Sequence, residues 1–209
     1  TLGRPAYSQL APIRVLDDTL NENGRYTGSL SSGNPELKPY ESMNLDASIE
    51  YYLGSGLVAV APFYKRIDNP IYGKSYVETN VTYNDRFYER ISFSQPTNAD
   101  TGRIAGVEFS YQNYFSSLPS PWNGFGVNLN YTRTDSSATL FERADDVPFF
   151  KQSDNVGNVS ALFEKYGVAA QVSMSFNSPS LESVGANAAG DGYDDWYKVW
   201  DIKVSAPIA

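Results

Sequence analysis

The chain has 209 residues, a formal net charge of −8, and neither cysteine nor histidine. Without those two residues it has no disulfides, no thiolate or histidine acid–base chemistry, and no zinc site of the usual kind. The acidic balance makes nucleic acid a poor partner, so we expect none.

The first distinctive element is a proline-punctuated corner that leads into a strand. In GNPELKPYESMNLDASIEYYL, residues 33–53, Pro35 and Pro39 hold the chain extended. Beyond the corner every second residue is apolar, from Met43 to Leu53, and polar residues stand between them. This alternation predicts a β-strand with one apolar and one polar face.

Four later stretches show the same alternation: 103–115, 124–132, 167–177 and 196–205. Segments 57–67, which contains Pro62, and 158–166 are less regular strands. We predict that one set of residues shares a continuous apolar face: Val107, Phe109, Val127, Leu129, Val172 and Met174. The opposite face should carry Glu108, Asn128, Gln171 and Ser173.

The connections between these strands alternate in length. The short ones are 53–56, 116–124 and 165–167, and the long ones are 11–40, 68–101, 136–154 and 178–195. In a meander this pattern places all long loops at one end, as in outer-membrane β-barrels. Aromatic residues near the strand ends suit the interfacial girdles of such barrels: Tyr51, Tyr52, Phe115, Phe125, Tyr166, Trp196 and Trp200.

A soluble antiparallel β-sandwich, such as a secreted carbohydrate-binding module, would show a similar alternation. Two details favour the barrel. The polar faces carry small uncharged residues, as expected of a barrel lumen, and the long loops all fall on one side.

Several motifs, taken in chain order, resemble those of TonB-dependent outer-membrane receptors. They are Thr1-Leu2 with Arg4-Pro5, GNP-x-LKP at 33–39, FYKRIDNPI at 63–71, Asn98 with Gly106-Val107-Glu108, and the hairpin 153–173. The resemblance covers nearly the whole chain. The TL-x-RP segment is also similar to that of receptors linked to oligosaccharide uptake.

The resemblance implies an all-β fold, an antiparallel up-and-down meander that forms part of a transmembrane β-barrel. At ~10 residues per strand plus loops, the chain supplies about eight strands of a barrel of about 22. We therefore expect residues 1–209 to form a partial barrel domain from the C-terminal half, with the plug domain and TonB box outside it.

The resemblance also implies a function: a receptor in the outer membrane of a Gram-negative bacterium that binds a scarce nutrient and imports it with TonB-supplied energy. Its partners would be outer-membrane lipid, its own plug domain, the TonB complex, and a small ligand such as a siderophore, cobalamin or an oligosaccharide. We expect no enzymatic activity and no cofactor. The acidic segment GDGYDDW at 190–196 lacks the spacing of a calcium loop, so no metal site is predicted.

Aromatic residues in the long loops are the candidate ligand-binding residues. They are Tyr72, Tyr76, Tyr83, Phe87, Tyr88, Phe149, Phe150 and Tyr193. Aromatic side chains among carboxylates and amides can stack on sugars or hold a chelate. The alternative for each is that it packs the loops against one another.

A strip of about eight strands has two edges with unpaired backbone groups, which are costly in lipid. We therefore expect one of three arrangements: a larger assembly, pairing of segment 41–53 with 196–205 to close a small barrel, or edges paired by neighbouring chains.

Overall fold

A computed structural model describes residues 1–140, 143–185 and 187–207, and nearly all of their regular secondary structure is β-strand. The strands are β1 (Leu2–Gly3), β2 (Arg14–Leu20), β3 (Tyr26–Ser32), β4 (Tyr40–Asp46), β5 (Ile49–Leu53), β6 (Gly56–Asp68), β7 (Ile71–Tyr83), β8 (Arg86–Asn98), β9 (Thr101–Tyr114), β10 (Phe125–Thr139), β11 (Asn155–Lys165), β12 (Val168–Asn177), β13 (Ser180–Ser183), β14 (Gly192–Asp194) and β15 (Tyr197–Ser205). One helix, α1, spans Tyr7–Leu10, and single 3-10 turns lie at Trp122–Gly124 and Ala188–Gly190.

The largest sheet, called the wall below, is an antiparallel meander. Its order is β1–β4–β6–β9–β10–β11–β12–β15, with β5 also paired to β6. The break between β4 and β5 lies beside Pro62, whose carbonyl accepts a hydrogen bond from the Ala47 N–H at 3.1 Å. Because proline has no N–H, the ladder cannot be completed there.

This meander confirms the predicted all-β fold. The wall is an open sheet: within the described residues, β15 pairs with β12 but not with β4 or β5. The small closed barrel, one of three predicted arrangements, is therefore not formed.

The two faces of the wall carry the residues that the alternation predicts. Directly opposed residues of antiparallel strands share a face. Leu129 opposes Val159, which opposes Met174. Likewise, Phe109 opposes Tyr131 on the neighbouring strand. The same register places Glu108, Asn128, Gln171 and Ser173 together on the other face, so the predicted facing is confirmed.

The apolar face of the wall is exposed. Ile202 is 75% and Val172 is 41% accessible, although both lie within strands. The buried apolar residues instead lie in or beside the long loops, in two clusters around Leu181 and Ile91. A sandwich would bury this face against a second sheet, whereas a face this exposed requires an apolar medium.

The long loops leave the wall at one end, as predicted. Asp68 opposes Thr101, which opposes Thr139, so β6, β9 and β10 meet the loops at the same level. The turns 53–56 and 165–167 lie at the other end, where Gly56 opposes Asn113.

The loops 11–40 and 68–101 are more regular than the sequence indicated. They combine into a second sheet, called the loop sheet, in the order β2–β3–β8–β7. Its central pair, β3 and β8, is parallel. Segment 68–101, which the sequence analysis treats only as a long connection, forms a hairpin of two 13-residue strands.

The proline corner docks against the base of this hairpin. The Lys38 N–H donates to Asn98 Oδ1 at 2.8 Å, and Asn98 Nδ2 donates to the Lys38 carbonyl at 3.1 Å. Asn34 Nδ2 donates to the Pro96 carbonyl at 3.1 Å, and Leu37 is buried. The extended conformation before Pro39 therefore presents a backbone that the hairpin can bind.

Candidate functional site

A cavity of about 280 Å³, called the loop pocket, lies between β7 and the loops that follow β10 and β12. It is lined by Tyr72, Lys74, Ser75, Tyr76, Leu140, Arg143, Val184 and Gly185. Because strand residues alternate, Tyr72, Lys74 and Tyr76 all point to the same face of β7. A bridge between Lys74 and Val184 fixes β7 against the loop 178–195.

The floor of the loop pocket is an apolar cluster. Its buried members are Ala99, Ala138, Leu140, Val147, Leu181 and Val184. Tyr72, Phe149 and Phe150 pack against them. These residues come from β7, β10, β13 and the segments beside β8 and β10, so the cluster holds separate loops in one rigid base.

One side of the loop pocket is a buried ion-pair network. Arg143 Nη1 lies 2.7 Å from Asp191 Oδ1, and the side chains of both residues are only 4% exposed. Arg143 Nε donates to Asp145 Oδ1 at 3.0 Å. Asp191 Oδ1 also accepts from the Gly185 N–H at 2.8 Å. The network therefore joins the loop after β10 to the loop before β15.

Arg143 and Asp145 keep their charges at neutral pH. The hydrogen bonds that Arg143 donates to Asp145, and then to Asp191, raise the pKa of Arg143. The Arg143 guanidinium in turn lowers the pKa of Asp145, chiefly through its hydrogen bond. Arg143 thus stays cationic at the side of the loop pocket.

Aromatic contacts hold Tyr76 in place on the other side of the loop pocket. The Lys74 Nζ lies 5.7 Å from the centroid of the Tyr76 ring, a cation–π contact. Tyr76 stacks on Phe93 with centroids 4.9 Å apart, and Tyr83 meets Phe93 edge-on at 6.1 Å. This ladder extends from the loop pocket toward the outer end of the loop sheet.

A polar contact fastens the two hairpins of the loop sheet together. Asp18 Oδ2 accepts from the Tyr88 hydroxyl at 2.6 Å and from Arg86 Nη1 at 2.7 Å. The Arg86 guanidinium also lies 5.0 Å from the Tyr26 ring centroid. The Tyr88 hydrogen bond, followed by that of Arg86, lowers the pKa of Asp18.

The structure distributes the predicted ligand-binding residues over several places. Tyr72 and Tyr76 line the loop pocket, and Phe149 and Phe150 belong to its floor. Tyr83, Phe87 and Tyr88 lie in the loop sheet, where Tyr88 is fully buried and Phe87 is 42% exposed. Tyr193 lies on β14 with its ring largely exposed. Ligand contact by these residues stays a prediction.

The sequence analysis missed the two cations beside the loop pocket, Lys74 and Arg143. Lys74 stands between two of the predicted tyrosines, Tyr72 and Tyr76, and that spacing was a usable signal. No local sequence signal marks Arg143, because its partner Asp191 lies 48 residues away in the chain.

In the described parts of the chain, no group of three or more acidic side chains is arranged to hold a metal ion. None of the helices found there is long and apolar enough to cross a membrane.

An open antiparallel wall with an exposed apolar face, a polar inner face and all long loops at one end defines the class: part of an outer-membrane transport β-barrel. The family model for the TonB dependent receptor-like β-barrel matches residues 2–208, and the chain belongs to this family. The family and the solved structures that it resembles are transport receptors and not enzymes. No curated protein sequence matches the chain significantly.

Solved structures show the same fold at low sequence identity. A mutant of the ferric enterobactin receptor PfeA of Pseudomonas aeruginosa, in complex with enterobactin, is 14% identical with a TM-score of 0.61. That match covers 100% of this chain and 30% of the receptor. The siderophore receptor PirA of the same species is 15% identical with a TM-score of 0.58, over 100% of this chain and 32% of PirA.

PirA from Acinetobacter baumannii is 13% identical, with a TM-score of 0.54 over 87% of this chain and 27% of that receptor. The chain therefore spans about a third or less of the length of these receptors.

Proposed function

We propose that this chain supplies part of the wall and surface loops of a receptor that binds a ferric siderophore and imports it with TonB-supplied energy. The loop pocket carries the proposal. It brings Lys74 together with Tyr72 and Tyr76 at the loop end of the wall. A lysine and aromatic rings at one cavity suit an anionic, ring-bearing iron chelate. PfeA is a ferric enterobactin receptor and PirA is a siderophore receptor, which supports this ligand class.

The remaining partners follow from the two faces of the wall. The apolar face would contact outer-membrane lipid in a Gram-negative bacterium. The polar face, with Asn128, Asn130 and Asn158, would surround the receptor's own plug domain. Residues 1–209 would be one partial barrel domain, and energy would come from the TonB complex.

Ligand binding is tested with the full-length receptor in detergent and ferric enterobactin as the probe. We expect Tyr76→Ala and Lys74→Gln each to weaken binding about tenfold, because each removes a ring or a charge from the loop pocket. The matched control is Tyr166→Ala, since Tyr166 is an exposed tyrosine at the opposite end of the wall.

Cobalamin and a maltooligosaccharide are titrated in parallel to decide the ligand class. Binding of either one in place of ferric enterobactin would overturn the siderophore assignment. Equal binding by both variants and the control would show that the loop pocket is not the binding site.

Energy coupling is tested by uptake of radioactive iron from the same chelate in cells with and without TonB. We expect surface binding in both strains but accumulation only where TonB is present. Equal accumulation in the two strains would contradict energised import.

A further inference from the structure

Two arginines face each other directly on the outer side of the wall. Arg66 on β6 is the cross-strand partner of Arg103 on β9. In the same strand pair, Pro62 opposes Val107, so both arginines lie on the apolar face, beyond its apolar band and toward the loops. Like charges directly opposite each other in an antiparallel pair are destabilising. Ion pairs with Asp68 and Asp135 offset part of that repulsion, and an anion between the two arginines would remove the rest.

A groove of about 420 Å³ lies at this arginine pair. Tyr64, Arg66 and Arg103 line it, together with Thr139 and Asp146 from beyond β9. The Arg66 and Arg103 side chains are 57% and 62% exposed, so both are accessible from outside the wall.

The guanidinium groups retain most of their hydrogen-bonding capacity. In the described part of the chain, Arg66 donates only through Nε, to Asp68 Oδ1 at 3.2 Å. Arg103 Nη2 forms an ion pair with Asp135 Oδ2 at 3.9 Å, a distance that is too long for a hydrogen bond. The third carboxylate, that of Asp146, accepts from the Thr139 hydroxyl at 2.8 Å. Each arginine has five N–H donors, so both keep donors for a ligand.

We propose that Arg66 and Arg103 form a site for the phosphate group of an outer-leaflet lipid headgroup. Planar guanidinium forks match phosphate oxygens in a bidentate way, which a single ammonium cannot do. The lipid source is favoured because the groove lies on the apolar face, with Tyr64 at its border, where the acyl chains of the same lipid would pack. This inference rests on the outer-membrane location proposed above.

The test uses the full-length receptor in mixed micelles and counts bound lipid by native mass spectrometry. The probes are lipid A with both phosphates and the same lipid after removal of its phosphates. The double variant Arg66→Gln/Arg103→Gln should bind phosphorylated lipid A about tenfold more weakly, because both charge-assisted forks are lost. Binding of the dephosphorylated lipid should be weak and equal in both proteins.

The matched control is Arg133→Gln. Arg133 lies on the same face and pairs with Asp154 at 3.2 Å, but it opposes Val107 and no second arginine. Normal lipid binding by this control supports the proposal. An equal loss in the control, or no loss in the double variant, would overturn it. Inorganic phosphate that displaces the lipid at equal concentration would also overturn it, since the site would then bind free phosphate.

Binding of ferric enterobactin separates this proposal from the previous one. A double variant that binds the chelate normally is folded, so its binding of phosphorylated lipid A decides whether the two arginines form the lipid site. If the double variant fails to fold, lipid binding by the single variant Arg103→Gln decides the same question, provided that this variant binds the chelate. A wild-type receptor that fractionates outside the outer membrane would refute the proposed function itself.

Discussion

At the scale of single residues, Asn98 joins three segments at the base of the loops. Its Nδ2 donates to the carbonyls of Lys38 and Asn69 at 3.1 and 2.8 Å, and its Oδ1 accepts from the Lys38 N–H at 2.8 Å. The Asn98 amide thus pairs with the Lys38 backbone in the proline corner as a residue of a neighbouring strand would. A single asparagine thereby connects the loop 11–40 to the hairpin β7–β8.

We expect Asn98→Ala to destabilise this junction by about 1–3 kcal/mol, because it leaves part-buried backbone groups without partners. Hydrogen exchange should show faster exchange of the Lys38 amide, while amides at the wall turns 53–56 and 165–167 stay unchanged. The control is Asn44→Ala, an exposed asparagine on β4. Unchanged exchange at Lys38 in Asn98→Ala would refute the role of this side chain.

The Asp18 carboxylate makes the loop sheet sensitive to acid. Its pKa is lowered from the ordinary 3.8, first by the Tyr88 hydroxyl and then by Arg86. A lowered folded-state pKa stabilises the fold above the unfolded-state pKa, and this contribution is lost as pH falls through the folded-state value. Below about pH 4 we therefore expect β2 and β8 to lose exchange protection.

In Asp18→Asn the side chain no longer titrates, so protection at neutral pH should fall and that acid-dependent step should disappear. An acid-dependent step of the same size in Asp18→Asn would assign the sensitivity to another group.

At the scale of elements, the turn of the β7–β8 hairpin decides how the second long loop folds. Asn84 and Asp85 have φ of 48° and 61°, so both central residues lie in the left-handed region, as a type I′ turn requires. Asparagine and aspartate tolerate this region better than most residues. The dipeptide Asn-Asp, between strands with Tyr83 and Arg86 at their ends, is the local signal for this hairpin.

We expect Asp85→Gly to preserve or slightly raise stability, because glycine adopts positive φ without steric cost. By contrast, Asp85→Val should cost about 1–3 kcal/mol, since a β-branched residue is strained there. Thermal unfolding of the two variants in detergent provides the comparison. A valine variant as stable as the glycine variant would show that the turn is not held in this conformation.

The sequence predicted the wall better than the loops for a physical reason. Alternation is local, so Val107 and Glu108 can be assigned to opposite faces without any knowledge of the rest of the chain. The parallel pairing of β3 with β8 joins Tyr26 to Tyr88 across 62 positions, and the buried pair Arg143–Asp191 joins two other loops. Such contacts depend on how the loops meet in space. The hairpin β7–β8 does have a local signal, the turn residues Asn84-Asp85, because both tolerate positive φ.

At the scale of the whole molecule, the two faces of the wall should respond differently to the same charge. Leu129 lies on the apolar face and Asn128, one residue away on the same strand, lies on the polar face. We expect Leu129→Arg to destabilise the receptor in lipid by about 2–4 kcal/mol if Leu129 lies near mid-bilayer. Asn128→Arg should cost much less, because its arginine can reach the water-filled or plug-filled interior. Equal effects in urea unfolding from lipid vesicles would show that Leu129 does not face lipid.

The open edges of the wall determine what this stretch of chain can do by itself. Within the described residues β15 pairs on one side only, and the β4–β5 line has just the two-residue strand β1 on its outer side, so each leaves a row of backbone groups for another strand. In water, the exposed face around Trp200, Ile202 and Val204 adds an apolar surface that soluble monomers do not tolerate. In lipid, unpaired edges cost several kcal/mol for each backbone group.

We therefore expect residues 1–209, produced alone, to associate through these edges in buffer and to need detergent for dispersion. Light scattering coupled to size exclusion, in buffer and in detergent, measures the result. The full-length receptor should be monodisperse in the same detergent, because there each edge has a neighbouring strand. A stable monomer of residues 1–209 in plain buffer would contradict both the lipid-facing wall and its place in a larger barrel.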